Sequence, residues 1–402
     1  MVQGRATLIV DLGNSSTKGM VMFGRDSQTG KYRERRFDLS NVFATVRRDY
    51  VVSPDYSDTT STILHVDTTL NGRRISGNYC NGELQEHEFS SQVIKPSALD
   101  KKYNLDSTVL SLRLSFLFAC KAIMNIQRVS DFGQLSLTWN VVTLLPPGDI
   151  DNGREKMMDL VRNITEVESV FPEATIPIHI DKVSVFPEGF CAYAGVVYDK
   201  GQIYRPDYKF LTNETVMVFD IGAGTTDCML IKNNKLVQAS KYTVQLGGNN
   251  VYQIVRRNLR ENGIDLNSDV IMKGVWDGLV KDGSKEVSIV DLVNNAKNVV
   301  ANRIISEFQE FIESSDTKLR SVGYIIICGG GSMRNSDASS IVPLSAKVIG
   351  RIKELSPNTE LVLLPTNLTF EDLPDGGSRL VERQMNPRDL NVIGAGILAE
   401  AL

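Results

Sequence analysis

Apolar runs that stop abruptly on an acid set the pattern of this chain. Val216, Met217, Val218 and Phe219 form an unbroken, partly β-branched run of the kind a strand buried on both faces shows, and it ends on Asp220, then Gly222, Ala223, Gly224, Thr225 and Thr226. The stretch Val216 to Lys232, VMVFDIGAGTTDCMLIK, therefore predicts a strand, a tight turn and a return strand. The same pattern occurs near the start, where Ala6 to Lys18 reads ATLIVDLGNSSTK. Aligned on the acid, Asp11 matches Asp220, Leu12 matches Ile221, Gly13 matches Gly222, Ser16 matches Thr225 and Thr17 matches Thr226. Two such units half a chain apart predict two similar α/β halves.

The pattern between and after the hairpins predicts a recurring order of elements. After a return strand over Lys18 to Phe23, the chain turns polar from about Gly24 to Tyr103, with a β-hairpin in which Ile63–Thr69 and Arg73–Ile75 flank Leu-Asn-Gly. This stretch is expected to be an inserted subdomain, and Arg33, Arg35 and Arg36 in it are read as a solvated face rather than a contact patch. Leu105–Ile126 has helical apolar spacing, Leu135–Leu145 is strand-like, Gly153–Ile164 is an amphipathic helix, and Ile176–Phe186 is a strand ending at Pro187, Glu188 and Gly189. In the second half, Leu236–Val244 pairs back on the hairpin, Gly247 and Gly248 open a helix over Val251–Arg260, and Ile289–Ile312 is a long helix. The polar stretch Gly263–Ser288 lies in a second insert, about 247–319. Val322–Cys328 is a buried strand running into Gly329, Gly330, Gly331 and Ser332, and helices over Ala338–Leu355 and Leu390–Leu402 flank a short strand at Leu361–Leu364.

Composition narrows the function classes. At 402 residues the chain suits two or three domains, and 42% hydrophobic with 23% charged residues is ordinary for a soluble globular protein. The net charge of -4 argues against direct nucleic-acid binding through phosphate neutralisation, so a link to DNA would pass through a partner. Five scattered cysteines without a CxxC pair, and three histidines, argue against a zinc site or a disulfide framework. Strand-like sequence within the first ten residues leaves no visible signal, and Arg113 and Lys121 interrupt the most apolar helix, so neither export nor a membrane span is expected and a cytoplasmic location follows.

The chemistry of the repeat is phosphate binding. Small residues let backbone N–H groups approach an anion, hydroxyls of Ser15, Ser16, Thr17, Thr225 and Thr226 add donors, and Asn14 and Lys18 flank the first turn. Asp11 and Asp220, each at a strand end, suit Mg²⁺ held mostly through its waters. A plain glycine hairpin with a surface acid is the bland alternative for one copy, and the second copy weakens it. Glu188 read alone is a first-turn glutamate favoured by the helix dipole.

These residues carry a family resemblance. Asp11–Lys18, Pro187–Gly189, Asp220–Asp227, Cys328–Met333 and Asn391–Ala399 resemble, in order, the phosphate-1, connect-1, phosphate-2, adenosine and connect-2 motifs of the actin, sugar kinase and heat-shock chaperone ATPase superfamily. Chain length and the Pro-Glu-Gly junction further resemble the bacterial plasmid-segregation actins of the ParM/StbA type. The resemblance implies an actin-like ATPase fold of two ribonuclease-H-like domains, 1–214 with about 386–402 and 215–385, each carrying an inserted subdomain (about 24–104 and about 247–319), with nucleotide in the cleft between them. It implies ATP or GTP with Mg²⁺, Glu188 as the acid that orients the attacking water, and the backbone of Gly329 to Met333, with Gly247 and Gly248 opposite, around the nucleoside. It further implies filaments of the chain itself that move plasmid or phage DNA through an adaptor bound at a centromere-like site, away from membranes. Three other classes stand beside this one: a sugar- or acetate-type kinase, for which no separate substrate-deprotonating Asp is evident; a cell-shape or division actin of the MreB or FtsA type, whose terminal amphipathic helix the end IGAGILAEAL does not resemble; and, behind both, a chaperone ATPase without its substrate domain.

Overall fold

The computed structural model describes residues 2–14, 16–25, 32–56, 61–89, 93–96, 100–283, 285–314, 321–332, 340–372 and 378–401. Ser15, Met333 and the predicted helix start at Ala338 lie outside the described residues. The chain divides into two compact units, Met1–Pro187 with Ala395–Leu402, and Glu188–Gly394.

In chain order the first unit contains β1 (Val2–Leu12), β2 (Ser16–Arg25), β3 (Tyr32–Ser40), β4 (Phe43–Val46), β5 (Thr62–Leu70), β6 (Arg73–Asn81), α1 (Glu83–Glu88) and β7 (Val93–Ile94). There follow α2 (Asp106–Gln127), β8 (Leu135–Leu145), α3 (Ile150–Arg162), β9 (Glu166–Phe171), β10 (Glu173–Pro177) and β11 (His179–Pro187). A five-stranded sheet runs in the order β11-β8-β1-β2-β3, with β1 antiparallel to β2 and parallel to β8. A second sheet, β10-β9-β5-β6-β4-β7, takes strands from both sides of α2 and α3.

One expectation changes here. The predicted strand over Ile176–Phe186 is two strands in two sheets: β10 pairs with β9, whereas β11 pairs with β8. Pro177 closes β10 because it has no N–H for a ladder, and Ile178 donates instead to the Thr165 carbonyl at 2.9 Å. The arginines of the polar stretch stand on β3, an edge strand of the first sheet. Edge strands tolerate charge, which discourages further pairing, and Arg36 pairs with Glu34 at 3.1 Å.

Helix α2 is long and apolar enough to cross a membrane, yet 72% of its most apolar window is buried within this unit. Leu110, Leu114 and Leu117 face the core, and Phe116 meets Trp139 edge-on with ring centroids 5.4 Å apart. Its two cations are accommodated locally: Arg113 donates to the Glu166 carbonyl, with burial lowering its pKa, and Lys121 lies 5.0 Å from the Phe118 ring centroid.

The second unit opens with α4 (Phe190–Val197), β12 (Tyr198–Asp199) and β13 (Ile203–Tyr204), then β14 (Thr215–Ile221), β15 (Thr226–Lys232), β16 (Lys235–Leu236) and β17 (Tyr242–Val244). It continues with α5 (Gly248–Glu261), α6 (Ser268–Asp277), β18 (Leu279–Asp282), β19 (Lys285–Ser288), α7 (Val290–Ser314), β20 (Tyr324–Cys328), α8 (Leu344–Leu355) and β21 (Glu360–Leu361). The hairpin of β22 (Thr366–Asp372) and β23 (Ser378–Gln384) precedes α9 (Leu390–Ala399). Its main sheet runs β16-β15-β14-β20-β21, with β17 also on β15. The polar stretch 263–288 therefore holds α6 and the β18–β19 hairpin. Phe219 of β14 packs edge-on against Phe308 of α7, with centroids 4.7 Å apart, which seats the long helix on the hairpin strand.

Both places where the chain passes between units lie beside or within two helices that touch through glycine. A Cβ on Gly394 of α9 would stand 1.7 Å from the Cys191 carbonyl oxygen of α4, and one on Gly195 would stand 3.1 Å from the Leu390 carbonyl oxygen. Only hydrogen fits at such a backbone approach. Gly394→Ala should therefore cost on the order of 1–3 kcal/mol, the range for overpacked cores, or more because the obstacle is backbone. The urea midpoint checks this, and an unchanged midpoint would contradict the contact.

Candidate functional site

The second unit builds its candidate site around β14 and β15. The antiparallel register places Asp220 opposite Asp227 and Ile221 opposite Thr226, and the Gly222 N–H closes the turn onto the Thr225 carbonyl at 2.8 Å. The tip is then held from outside. Gly248 and Asn249, the first residues of α5, donate their N–H groups to the Gly222 and Ala223 carbonyls at 3.1 and 2.7 Å. Helix-initial amides have no partner within their own helix, so the hairpin carbonyls satisfy them and fix the turn together. Gly247 is required for this approach, since a Cβ there would stand 2.6 Å from the Gly222 oxygen. The structure thus places Gly247 and Gly248 against Gly222 and Ala223. Thr226, fully buried, donates its hydroxyl to the Leu246 carbonyl at 2.8 Å.

Asp220 is 8% exposed at the strand end. A buried carboxylate needs compensating donors, and the Asn391 side-chain amide of α9 supplies one to Oδ2. Gly329, with φ of 85°, passes over the other oxygen so closely that a Cβ would lie 2.3 Å from Oδ1. Its N–H donates to the Pro387 carbonyl at 3.0 Å. Gly331 presses on Ile221 in the same way, with a Cβ position 2.4 Å from Cγ2, whereas Gly330 has nothing within 4 Å and leaves open backbone. Gly330–Ser332 form a single 3-10 turn. The glycine run therefore divides its work, two residues packing on the acid-bearing strand and one open to approach.

Glu188 belongs to the same assembly. It is 6% exposed and precedes Gly189, whose φ of 69° turns the chain into α4. The Gly189 N–H donates to Asn391 Oδ1 at 2.9 Å, and its Cα side faces Met229 and Val218 of the hairpin strands. Asn391 thus holds the Asp220 carboxylate and the main chain that follows Glu188 at once, through opposite ends of one amide.

The first unit builds a parallel arrangement with different partners. Asp11, 5% exposed, stands opposite Lys18, and Leu12 stands opposite Thr17. Directly opposed residues share a face, so Lys18 lies beside Asp11 where the second hairpin has Asp227 beside Asp220. The Gly13 N–H donates to the Ser16 carbonyl at 3.1 Å. Asn41, 2% exposed, ties the turn down: it donates to the Gly13 carbonyl and accepts from the Thr17 hydroxyl and, at 2.8 Å, from Ser111 of α2. The matching hydroxyls Thr17 and Thr226 therefore both donate inward. No hydrogen bond or ion pair engages the Asp11 carboxylate among the described residues. No group of three or more His, Cys, Asp or Glu side chains suited to a metal occurs among the described residues.

Sequence reasoning missed Asn41, and it placed Asn391 in a motif without assigning it chemistry. A single asparagine after a charged edge strand carries no signal. Asn391 had one, as a polar residue opening an otherwise apolar helix.

Comparison with known proteins agrees with this architecture. The family model described as the C-terminal domain of the archaeal, MreB-like actin homologue matches residues 218–338. A search of curated proteins finds no match. Among solved structures, the chain is similar to a 15-stranded ParM filament from Clostridium botulinum at 17% identity and TM-score 0.66, covering 99% of this chain and 100% of the other. It is similar to the actin-like protein Alp7A at 15% identity and TM-score 0.65, covering 98% and 96%, and to an archaeal actin homologue in complex with ADP at 15% and 0.62, covering 99% and 100%. The fold is that of the actin-like ATPases.

Gly329→Ala tests the packing over Asp220. The added methyl cannot coexist with the present carboxylate position and is strained at positive φ, so a loss of about 1–3 kcal/mol in stability is expected. The denaturant midpoint reads it, and a variant as stable as wild type would show that Gly329 does not press on Asp220.

Proposed function

We propose that the chain is a nucleotide-dependent, polymerising bacterial actin-like protein that binds and hydrolyses ATP or GTP and forms filaments that segregate plasmid or phage DNA through an adaptor. The observation that carries this reading is the repeated hairpin, one in each unit, each ending its first strand on a buried acid beside a closed turn. The similarity to a ParM filament and to an archaeal actin homologue crystallised with ADP supports it. A net charge of -4 favours an adaptor over direct contact with DNA.

In this reading the turns at Gly13–Lys18 and Gly222–Thr226 bind the phosphate chain, with main-chain N–H groups rather than the inward-donating Thr17 and Thr226 hydroxyls as donors. Lys18 adds positive charge on the face of Asp11. Mg²⁺ would be held by Asp11 and Asp220, largely through water, and would supply neutralisation of phosphate charge. Each acid taken by itself suits such an ion: Asp11 is a buried carboxylate with no protein donor among the described residues, and Asp220 has one oxygen held by Asn391. Glu188 orients the attacking water. The Gly330 backbone faces the nucleoside.

With Mg²⁺ and ATP or GTP, the purified protein is expected to raise light scattering and to pellet, with phosphate release. A soluble chain at all concentrations that phosphorylates a sugar would replace this reading with that of a kinase. Glu188→Ala is expected to keep nucleotide affinity while hydrolysis falls by roughly 10² to 10⁴, as for a positioned acid or base. Unchanged turnover would remove Glu188 from the chemistry. Asp220→Ala is expected to uncouple assembly from nucleotide, and normal hydrolysis in that variant would contradict its role.

A further inference from the structure

Asn391 is a buried polar residue, 5% exposed, in the first turn of an otherwise apolar helix. Packing alone would favour an aliphatic side chain there, so its two hydrogen bonds call for a reason. Its carboxamide has one donor end and one acceptor end, and each faces its complement. The NH₂ group donates to Asp220 Oδ2, and Oδ1 accepts from the Gly189 N–H at 2.9 Å. The opposite orientation would set oxygen against carboxylate and NH₂ against N–H, so a single arrangement is stable.

We propose that Asn391 is a positioning residue for hydrolysis, aligning the Asp220 carboxylate and locking it to the main chain of the Glu188 junction. The inference rests on the functional reading above. Asp220 is thereby confined on both sides, by the amide at Oδ2 and by the Gly329 backbone against Oδ1. Gly189 immediately follows Glu188, so the same amide that orients one acid fixes the backbone carrying the other. A shift of Asn391 moves both at once. Residues that orient a metal-ligating carboxylate through a hydrogen bond change metal affinity or activity when lost, without touching the substrate.

The test uses the 402-residue chain and two variants. Asn391→Leu keeps the volume and removes both hydrogen bonds; Asn391→Asp keeps the shape and the acceptor for Gly189 but sets a carboxylate against Asp220. For each, kcat, the Mg²⁺ concentration at half-maximal hydrolysis, nucleotide affinity and melting temperature are measured beside wild type. The expected result is a kcat lower by about ten- to a hundredfold in both variants, with nucleotide affinity within about threefold of wild type and an altered Mg²⁺ requirement. A packing role would instead lower stability and nucleotide affinity together, leave kcat of the folded fraction unchanged, and overturn the proposal. The Asp variant, which scarcely changes volume, decides the matter if the Leu variant does not fold. A wild-type protein that hydrolyses neither ATP nor GTP overturns the functional reading, and this inference with it; an active wild type with indifferent variants overturns this inference alone.

Discussion

A carboxylate buried at the end of a central strand is the constraint from which the second unit is built. Desolvating Asp220 is costly unless a donor and close packing compensate for it. The compensation comes from three distant segments. Asn391 of α9 donates to one oxygen, the Gly329 backbone closes over the other, and the Gly189 N–H anchors the far end of the Asn391 amide. Because Gly329 must carry no side chain and Gly189 must hold a positive φ, the glycines at these places follow from the position of one acid.

The two hairpins share a backbone plan and diverge in their electrostatics. Both close a turn by an N–H to carbonyl bond between its ends, and both bury an inward-donating threonine. Yet Lys18 faces Asp11 across the strands, while Asp227 faces Asp220 and accepts from Thr243. The tips are also tied differently, by the Asn41 side chain in one case and by the first amides of α5 in the other. The shared sequence pattern explains the common geometry, and the different partners set the two acids in different surroundings: Asp220 is held on a defined bearing, and Asp11 sits beside a cation.

Glycine contact also governs the helices that follow the junction. Gly195 and Gly394 let α4 and α9 meet backbone to backbone, which brings Asn391 within reach of Gly189. The asparagine's two bonds are possible only because the helices approach this closely. Packing and chemistry at this point therefore depend on the same residues.

The acid-ended apolar runs, their alignment on Asp11 and Asp220, the strand at Leu135–Leu145 and the long helices were legible in the sequence, because continuous apolar runs and helical spacing are local properties of the chain. The Pro-Glu-Gly junction and the triple glycine were legible as special backbone for the same reason. What the tertiary structure decided is everything that depends on residues far apart in sequence: that Gly247 packs on Gly222, that Thr17 and Thr226 donate inward, that Pro177 sends the chain from one sheet to another, and that Asn391, 171 residues from Asp220, is its hydrogen-bond donor. An amide carries no periodicity, and its partners are chosen by which helix lies against which strand. Local pattern fixes where a buried acid stands, and only the packed chain fixes what holds it.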